Sequence, residues 1–237
     1  MSEPLLKVEG LQAGYGEVPV LREIALEINR GEIVALVGSN GAGKSTLLRA
    51  LSRILASRGR IEFAGRALDK MTADQVFALG LVQVPEGRQL FDQMSVEENL
   101  FMGAYCRSDK QKIAADLERV YKLFPRLEER RRQLAGSLSG GEQQMCTIAR
   151  GLMAAPQLMM VDEMSLGLAP VVVDLLLEVL AEIRKEGVTV LLVEQDIFSA
   201  FHIADRGYVL ETGKIVRAGS AKELAEDPEV RKAYLGL

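Results

Sequence analysis

The chain has 237 residues, 48% of them hydrophobic and 26% charged, enough apolar content to bury one large core. Its net charge of −4 argues against binding through a nucleic-acid backbone, no apolar run reaches the roughly 18 residues of a membrane-spanning helix, and Met1-Ser2-Glu3-Pro4 lacks the basic start and apolar stretch of a signal peptide. His202 is the only histidine, which excludes a multi-histidine metal site and a Ser-His-Asp triad, and Cys106 and Cys146, lacking metal-ligand spacing, are expected to be reduced packing residues of a cytosolic chain.

In chain order, Leu5-Leu6-Lys7-Val8-Glu9 and Ala25-Leu26-Glu27-Ile28 alternate apolar with polar residues, as half-exposed strands do. Glu32-Ile33-Val34-Ala35-Leu36-Val37 is a short β-rich run, and a helical pattern starts at Thr46-Leu47-Leu48. Between them lies Gly38-Ser39-Asn40-Gly41-Ala42-Gly43-Lys44-Ser45-Thr46, which fits the phosphate-loop pattern of Gly, any four residues, Gly-Lys-Ser/Thr. A strand, a glycine loop and a helix start aim backbone N–H groups and the positive helix end at one point. The glycines allow close approach to phosphate oxygens, Lys44 can reach the β- and γ-phosphates, and the Ser45 hydroxyl can ligate Mg²⁺. This segment predicts a nucleoside triphosphate site.

Ile61-Glu62-Phe63 predicts another short strand, ended by Ala64-Gly65. From Ser95, a helix cap, to about Ala155 the pattern is mainly helical, with apolar residues at helical spacing from Ile113 to Phe124. The dense charge of Arg126-Leu127-Glu128-Glu129-Arg130-Arg131-Arg132 reads as a solvated helix face or loop. Buried-strand character returns in Leu158-Met159-Met160-Val161 and Val188 to Val193, with a helix from Val171 to Arg184 between them. Tyr208 to Val216 reads as a hairpin turning at Glu211-Thr212-Gly213. Strands separated by helices predict a parallel sheet covered on both faces, with the helical middle inserted into one α/β domain.

A phosphate loop alone leaves kinases, GTPases and motor ATPases open. The strand ending Val161-Asp162-Glu163 narrows the choice. Asp162 is placed to hold the Mg²⁺ shell, directly or through water, and Glu163 to orient the attacking water. Leu138-Ser139-Gly140-Gly141-Glu142-Gln143-Gln144 then opens a helical run, a second anion-binding helix start or, read plainly, a cap with a glycine turn.

That last segment resembles the signature motif of ABC-type ATPases. The resemblance implies an α/β fold: a P-loop NTPase, RecA-like core with an N-terminal antiparallel β subdomain and an inserted helical subdomain. On this sequence the core and β subdomain would span about 1–90 and 156–237, and the helical subdomain about 91–155. It implies a head-to-tail dimer with a second ABC ATPase subunit, a second copy or a related chain, and the mixed pair is the expectation in the cell. There Ser139, Gly140, Gly141 and Glu142 of one subunit would close over ATP held by residues 38–46 of the other. Tyr15, within Ala13-Gly14-Tyr15-Gly16, sits where the family stacks an aromatic ring on adenine.

The wording of Ser165-Leu166-Gly167-Leu168-Ala169-Pro170, Val84-Pro85-Glu86-Gly87-Arg88 and Val193-Glu194-Gln195-Asp196 is similar to one branch, the ATPase subunits of branched-chain amino-acid importers. Ala204 to Glu211 and the closing Lys232 to Leu237 extend the likeness across nearly the whole chain. Three departures from the general pattern stand out. Glu86 occupies the position of a glutamine near the Mg²⁺, with Gln83 close by in sequence, and is a candidate ligand; Gln195 replaces a γ-phosphate-contacting histidine; Met164 replaces a proline. The first two recur in that branch. Glutamine can donate a hydrogen bond to phosphate but cannot carry a proton.

The resemblance thus implies an ATPase, with ATP and Mg²⁺, bound peripherally at the cytoplasmic face of the inner membrane. Its partners would be membrane permease subunits, reached through the segment from Glu86 to Asn99, and indirectly a solute-binding protein; nucleic acid is not expected. An importer of urea or short amides and a non-transporting ABC ATPase are the alternatives.

Overall fold

A computed structural model describes residues 3–235; Met1 and Ser2, and Gly236 and Leu237 of the closing run, lie outside them. β1 (Leu6–Tyr15) and β2 (Val18–Ile28) pair antiparallel with Leu6 opposite Ile28 and Val8 opposite Leu26. Both outrun the alternation visible in the sequence, because register shifts follow Val8 and again flank Ala13. Each shift moves the next side chain to the other face, so the period-2 signal breaks where the strand does not. Gly10, at φ +58°, sits at the first shift and takes the left-handed backbone there.

β3 (Ile33–Val37) and α1 (Lys44–Leu51) flank the phosphate loop. β4 (Ser57–Phe63) and β5 (Arg66–Ala67) complete an antiparallel sheet of order β2-β1-β4-β5. α2 (Ala73–Ala78) leads into β6 (Leu81–Val84), an edge strand of the second sheet.

The helical stretch comprises α3 (Val96–Gly103), α4 (Lys110–Leu123), α5 (Pro125–Glu129) and α6 (Gly140–Met153). Ser95 caps α3 as expected, in a reciprocal box with Glu98. The charged run Arg126 to Arg132 covers most of α5 and the turn after it; Leu127 alone is buried, and Arg130 is drawn onto Glu142 at 2.7 Å. The two cysteines differ from the expectation that both pack: Cys146 is buried on α6, but Cys106 is exposed after α3, where a turn leaves nothing to cover it.

β7 (Leu158–Asp162), α7 (Pro170–Lys185), β8 (Thr189–Glu194) and α8 (Ile197–Ile203) follow, then the hairpin β9 (Arg206–Glu211) and β10 (Lys214–Ser220), and α9 (Ala221–Glu226) with α10 (Pro228–Leu235). The second sheet has the order β10-β9-β3-β8-β7-β6 and is parallel except for β10. β3, β7 and β8 are buried at every position, which is why they read as unbroken apolar runs. Their alternate residues serve two cores. Ile33, Ala35 and Val37 pack with Leu100, Phe124 and Ile148 of the helices; Val34 and Leu36 pack with Leu47, Phe63 and Leu6 of α1 and the antiparallel sheet. Each such Val, Leu or Phe contributes about 1.5–3 kcal/mol by leaving water.

The order β3-β8-β7 has a chemical consequence. Three neighbouring parallel strands end together, at Val37, Glu194 and Asp162, and ligands of open α/β sheets bind outside such carboxyl ends.

Candidate functional site

The loop after β3 wraps because its residues let it. Gly41 and Gly43 take φ +78° and +109°, and a Cβ on Gly38 would stand 2.5 Å from the Leu210 carbonyl. Gly43 caps α1 with no side chain, leaving the first N–H groups of the helix open to an anion. The Ala42 carbonyl accepts from Gly213 N at 2.9 Å, so the β9–β10 turn braces the loop from behind. Lys44 is folded back over it. Its Nζ donates to Gly38 O at 2.7 Å and Ser39 O at 3.2 Å, and lies 3.0 Å from Glu163 Oε1.

β7 delivers the carboxylates. Asp162 is 2% exposed, and its Oδ1 has no hydrogen-bond partner. Burial pushes its carboxyl up to about 6, with the Glu163 and Glu86 charges adding; a hydrogen bond from Ser45 and the Lys44 charge oppose the rise. A hydroxyl beside an orphaned carboxylate oxygen is a hard-oxygen donor set of the kind Mg²⁺ takes. Among the described residues no group of three His, Cys, Asp or Glu side chains could hold a metal ion. A cation here would complete its shell with water and phosphate oxygens.

Glu163 turns away from Asp162 because its backbone is left-handed, φ +43°. It meets Gln195, whose Nε2 donates to Glu163 Oε2 at 2.9 Å and also to Asn40 Oδ1. Lys44, Glu163, Gln195, Asn40, Ser45, Thr46 and Glu86 share one cavity of about 430 Å³, with Leu166 at its margin. A larger concavity of about 990 Å³ lies along the β1–β2 hairpin and includes Tyr15. Tyr15 is 46% exposed; its Oη accepts from Arg49 at 3.1 Å, and a hydrogen bond with Thr46 holds its phenol below the ordinary value. The ring therefore stands open beside the first turn of α1.

The signature residues are elsewhere. Ser139 is exposed at the N-cap of α6, and neither it nor Gly140, Gly141 or Glu142 lines the 430 Å³ cavity of its own chain. Glu142 is turned back: its Oε2 accepts from Ser139 N at 2.9 Å and Ser139 Oγ at 2.8 Å, and its Oε1 pairs with Arg130. Its side chain holds the serine and the helix end, work of about 1 kcal/mol for such a cap. The Ser-x-x-Glu spacing carried that signal in the sequence. Gly140 and Gly141 are small for a reason, since Cβ atoms there would come 3.0 Å from the Arg88 guanidinium and from Val172.

Two further contributors lie in segments that carry the family likeness, but the sequence assigned them no role. Arg88, at φ +66°, bridges the loop after β6 to α6: its Nη1 donates to Gln143 Oε1 at 3.3 Å, and its carbonyl accepts from Thr147 Oγ1 at 2.9 Å. Glu194, 2% exposed at the end of β8, accepts from Ser165 N at 3.1 Å and Ser165 Oγ at 2.7 Å. Burial raises its carboxyl, and the Ser165 donors oppose that. Gln83 accepts from Ser52 Oγ at 2.9 Å and lines a smaller cavity with Ser45, Glu86 and Asp162.

The chain is similar in sequence and in fold to known proteins. The sequence family described as "ABC transporter" matches residues 21–165. The high-affinity branched-chain amino acid transport ATP-binding protein BraG of Pseudomonas aeruginosa is 44% identical over 98% of this chain and all of its own length. The probable branched-chain amino acid transport ATP-binding protein LivF of Archaeoglobus fulgidus is 32% identical over 98% of this chain and 99% of its own. Among solved structures, an ATP-binding cassette of an ABC transporter in its ADP conformation superposes over the full length of both chains, with a TM-score of 0.86 and 25% identity.

Proposed function

Since this chain belongs to the ABC transporter family and is an ATP-hydrolysing subunit of it, we propose that it powers an importer of branched-chain amino acids. The observation that carries the proposal is the 44% identity to BraG over 98% of this chain. The site supplies the chemistry. ATP would lay its adenine on Tyr15 and its phosphates in the loop Gly38–Thr46, where Lys44 exchanges the Gly38 and Ser39 carbonyls for phosphate oxygens.

Glu163, aimed by Gln195, would orient water toward the γ-phosphate; a loose transition state needs that positioning more than it needs a strong base. Ser45 and Asp162 would hold Mg²⁺, with Glu86 near its outer shell; the ion, when bound, offsets phosphate charge. The exposed Ser139 end of α6 would reach the γ-phosphate of a second subunit, and the partner subunit's Ser139 would reach this one. Closing and reopening that seam with each ATP would drive the membrane subunits, a population shift set by contacts that exist only with the triphosphate. On this reading the chain would work as a peripheral subunit on the cytoplasmic face of the membrane. Among the described residues no helix is long and apolar enough to cross a membrane.

The test is ATP hydrolysis by the chain reconstituted with its co-purifying membrane subunits and binding protein. Leucine, isoleucine or valine should stimulate hydrolysis and accumulate in the vesicles. Stimulation by urea or acetamide, and not by these amino acids, would overturn the cargo.

A further inference from the structure

Two carboxylates are fully buried among the described residues, Asp162 and Glu194, and ATP hydrolysis gives only the first a task. A buried acid is costly unless donors meet it. Both oxygens of Glu194 are spent on a single residue, accepting from Ser165 N at 3.1 Å and Ser165 Oγ at 2.7 Å. Its chain neighbours grip the same turn. Val193 O accepts from Glu163 N at 2.8 Å, and Gln195 Nε2 donates to Glu163 Oε2 at 2.9 Å. Residues 193–195 at the end of β8 thus hold residues 163 and 165 after β7. Glu163 needs such a hold: at φ +43° it keeps a backbone that a non-glycine residue adopts only when its surroundings impose it.

We propose that Glu194 is a positioning residue for ATP hydrolysis: by clamping Ser165 it fixes the turn that aims Glu163 into the phosphate cavity. The inference rests on the role given to Glu163. Without the clamp the turn relaxes, Glu163 swings from Lys44, and Leu166 leaves the cavity margin. Glutamine at position 194 preserves the clamp, because its Oε1 accepts from the Ser165 N–H while its Nε2 donates to the Ser165 hydroxyl oxygen. Alanine preserves nothing.

The test measures steady-state ATP hydrolysis and thermal midpoint for wild type, Glu194→Gln, Glu194→Ala, Ser165→Ala and Glu163→Gln in the complex with the membrane subunits. Glu194→Ala should lower kcat by about 100-fold, the scale of a ~1 Å misplacement, with KM for ATP within about 2-fold. Ser165→Ala, which keeps the N–H contact, should lose about 10-fold, and adding it to Glu194→Ala should cost nothing further. Glu194→Gln should return to within about 3-fold of wild type. A merely structural Glu194 would lower the thermal midpoint and leave kcat per folded molecule unchanged. That result, or a Glu194→Gln variant as slow as Glu194→Ala, overturns the clamp. Loss of turnover in Glu163→Gln with wild-type turnover in Glu194→Ala overturns the clamp alone; full turnover in Glu163→Gln overturns both readings.

Discussion

Asp162→Asn should make the nucleotide-free protein more stable while damaging its function. Asp162 is 2% exposed with an unpartnered Oδ1, and its carboxyl is raised from 3.8 to about 6, chiefly by burial. A raised acid favours its protonated form in the folded state, so ionising it costs stability. At about 1.36 kcal/mol per pH unit, moving from 3.8 to about 6 costs about 3 kcal/mol once ionisation is complete. The cost is absent below the unfolded value, grows as pH rises from about 4, and is complete above about 6. Asp162→Asn removes it. In a chain of this size about 3 kcal/mol is about 6–12 °C of thermal midpoint. Thermal unfolding of both proteins at pH 7.5, 5 and 4 checks the sign: the advantage of the variant should be largest at pH 7.5, roughly half as large at pH 5, and close to nothing at pH 4. Adding Mg²⁺ and ATP should then stabilise wild type more than the variant. A variant no more stable than wild type at pH 7.5, or an advantage that grows with acid, would refute the reasoning.

Lys44→Ala removes a cation whose charge-assisted hydrogen bonds are worth about 1.5–3 kcal/mol each, so calorimetry should show ATP affinity falling about 10- to 100-fold; unchanged binding would remove the loop assignment. Glu163→Gln should keep ATP affinity, lower kcat by about 10²- to 10⁴-fold, and accumulate an ATP-dependent dimer visible by size exclusion; turnover near wild type would take Glu163 out of the chemistry. Gln195→His offers Glu163 and Asn40 a side chain that can carry a proton, so the assembled complex should hydrolyse ATP faster, with a pH dependence near 6.5 that wild type lacks; identical rates and profiles would leave the substitution without kinetic meaning.

What the sequence made legible is what residue type alone decides. Gly41 and Gly43 suit glycine because their φ angles, +78° and +109°, are ones that L side chains rarely adopt, and β3, β7 and β8 are mainly apolar because both their faces are covered. Ser139 and Glu142 show their reciprocal cap three residues apart. The rest depended on distance in the chain. Glu194 has no partner visible in the sequence; β7 lying beside β8 brings in Ser165, 29 residues away. Arg88 meets α6 only in the fold, where its guanidinium would stand 3.0 Å from a Cβ on Gly140. The true lengths of β1 and β2 were hidden by their own register shifts.

The charge around the loop argues for a site completed from outside the chain. The strand ends gather Asp162, Glu163 and Glu194 against one buried cation, Lys44, itself paired to Glu163 at 3.0 Å. A bare triphosphate would meet net repulsion there, partly offset by the open N–H groups of α1. Metal-borne charge relieves the repulsion on the Asp162 side, where an oxygen stands unpartnered. Beside Glu163 the described residues of the cavity offer Lys44, already paired to that carboxylate, and Gln195, a neutral donor engaged by Glu163 and Asn40. The exposed start of α6, capped by Ser139 and Glu142, lines no part of that cavity. A second subunit presenting the same helix end would supply N–H donors and positive dipole without adding a cation that would neutralise Glu163. Hydrolysis should therefore depend on protein concentration in the isolated chain, with rate per subunit rising as dimers form. A rate per subunit that stays constant on dilution below the dimerisation midpoint would mean that one chain completes its own site.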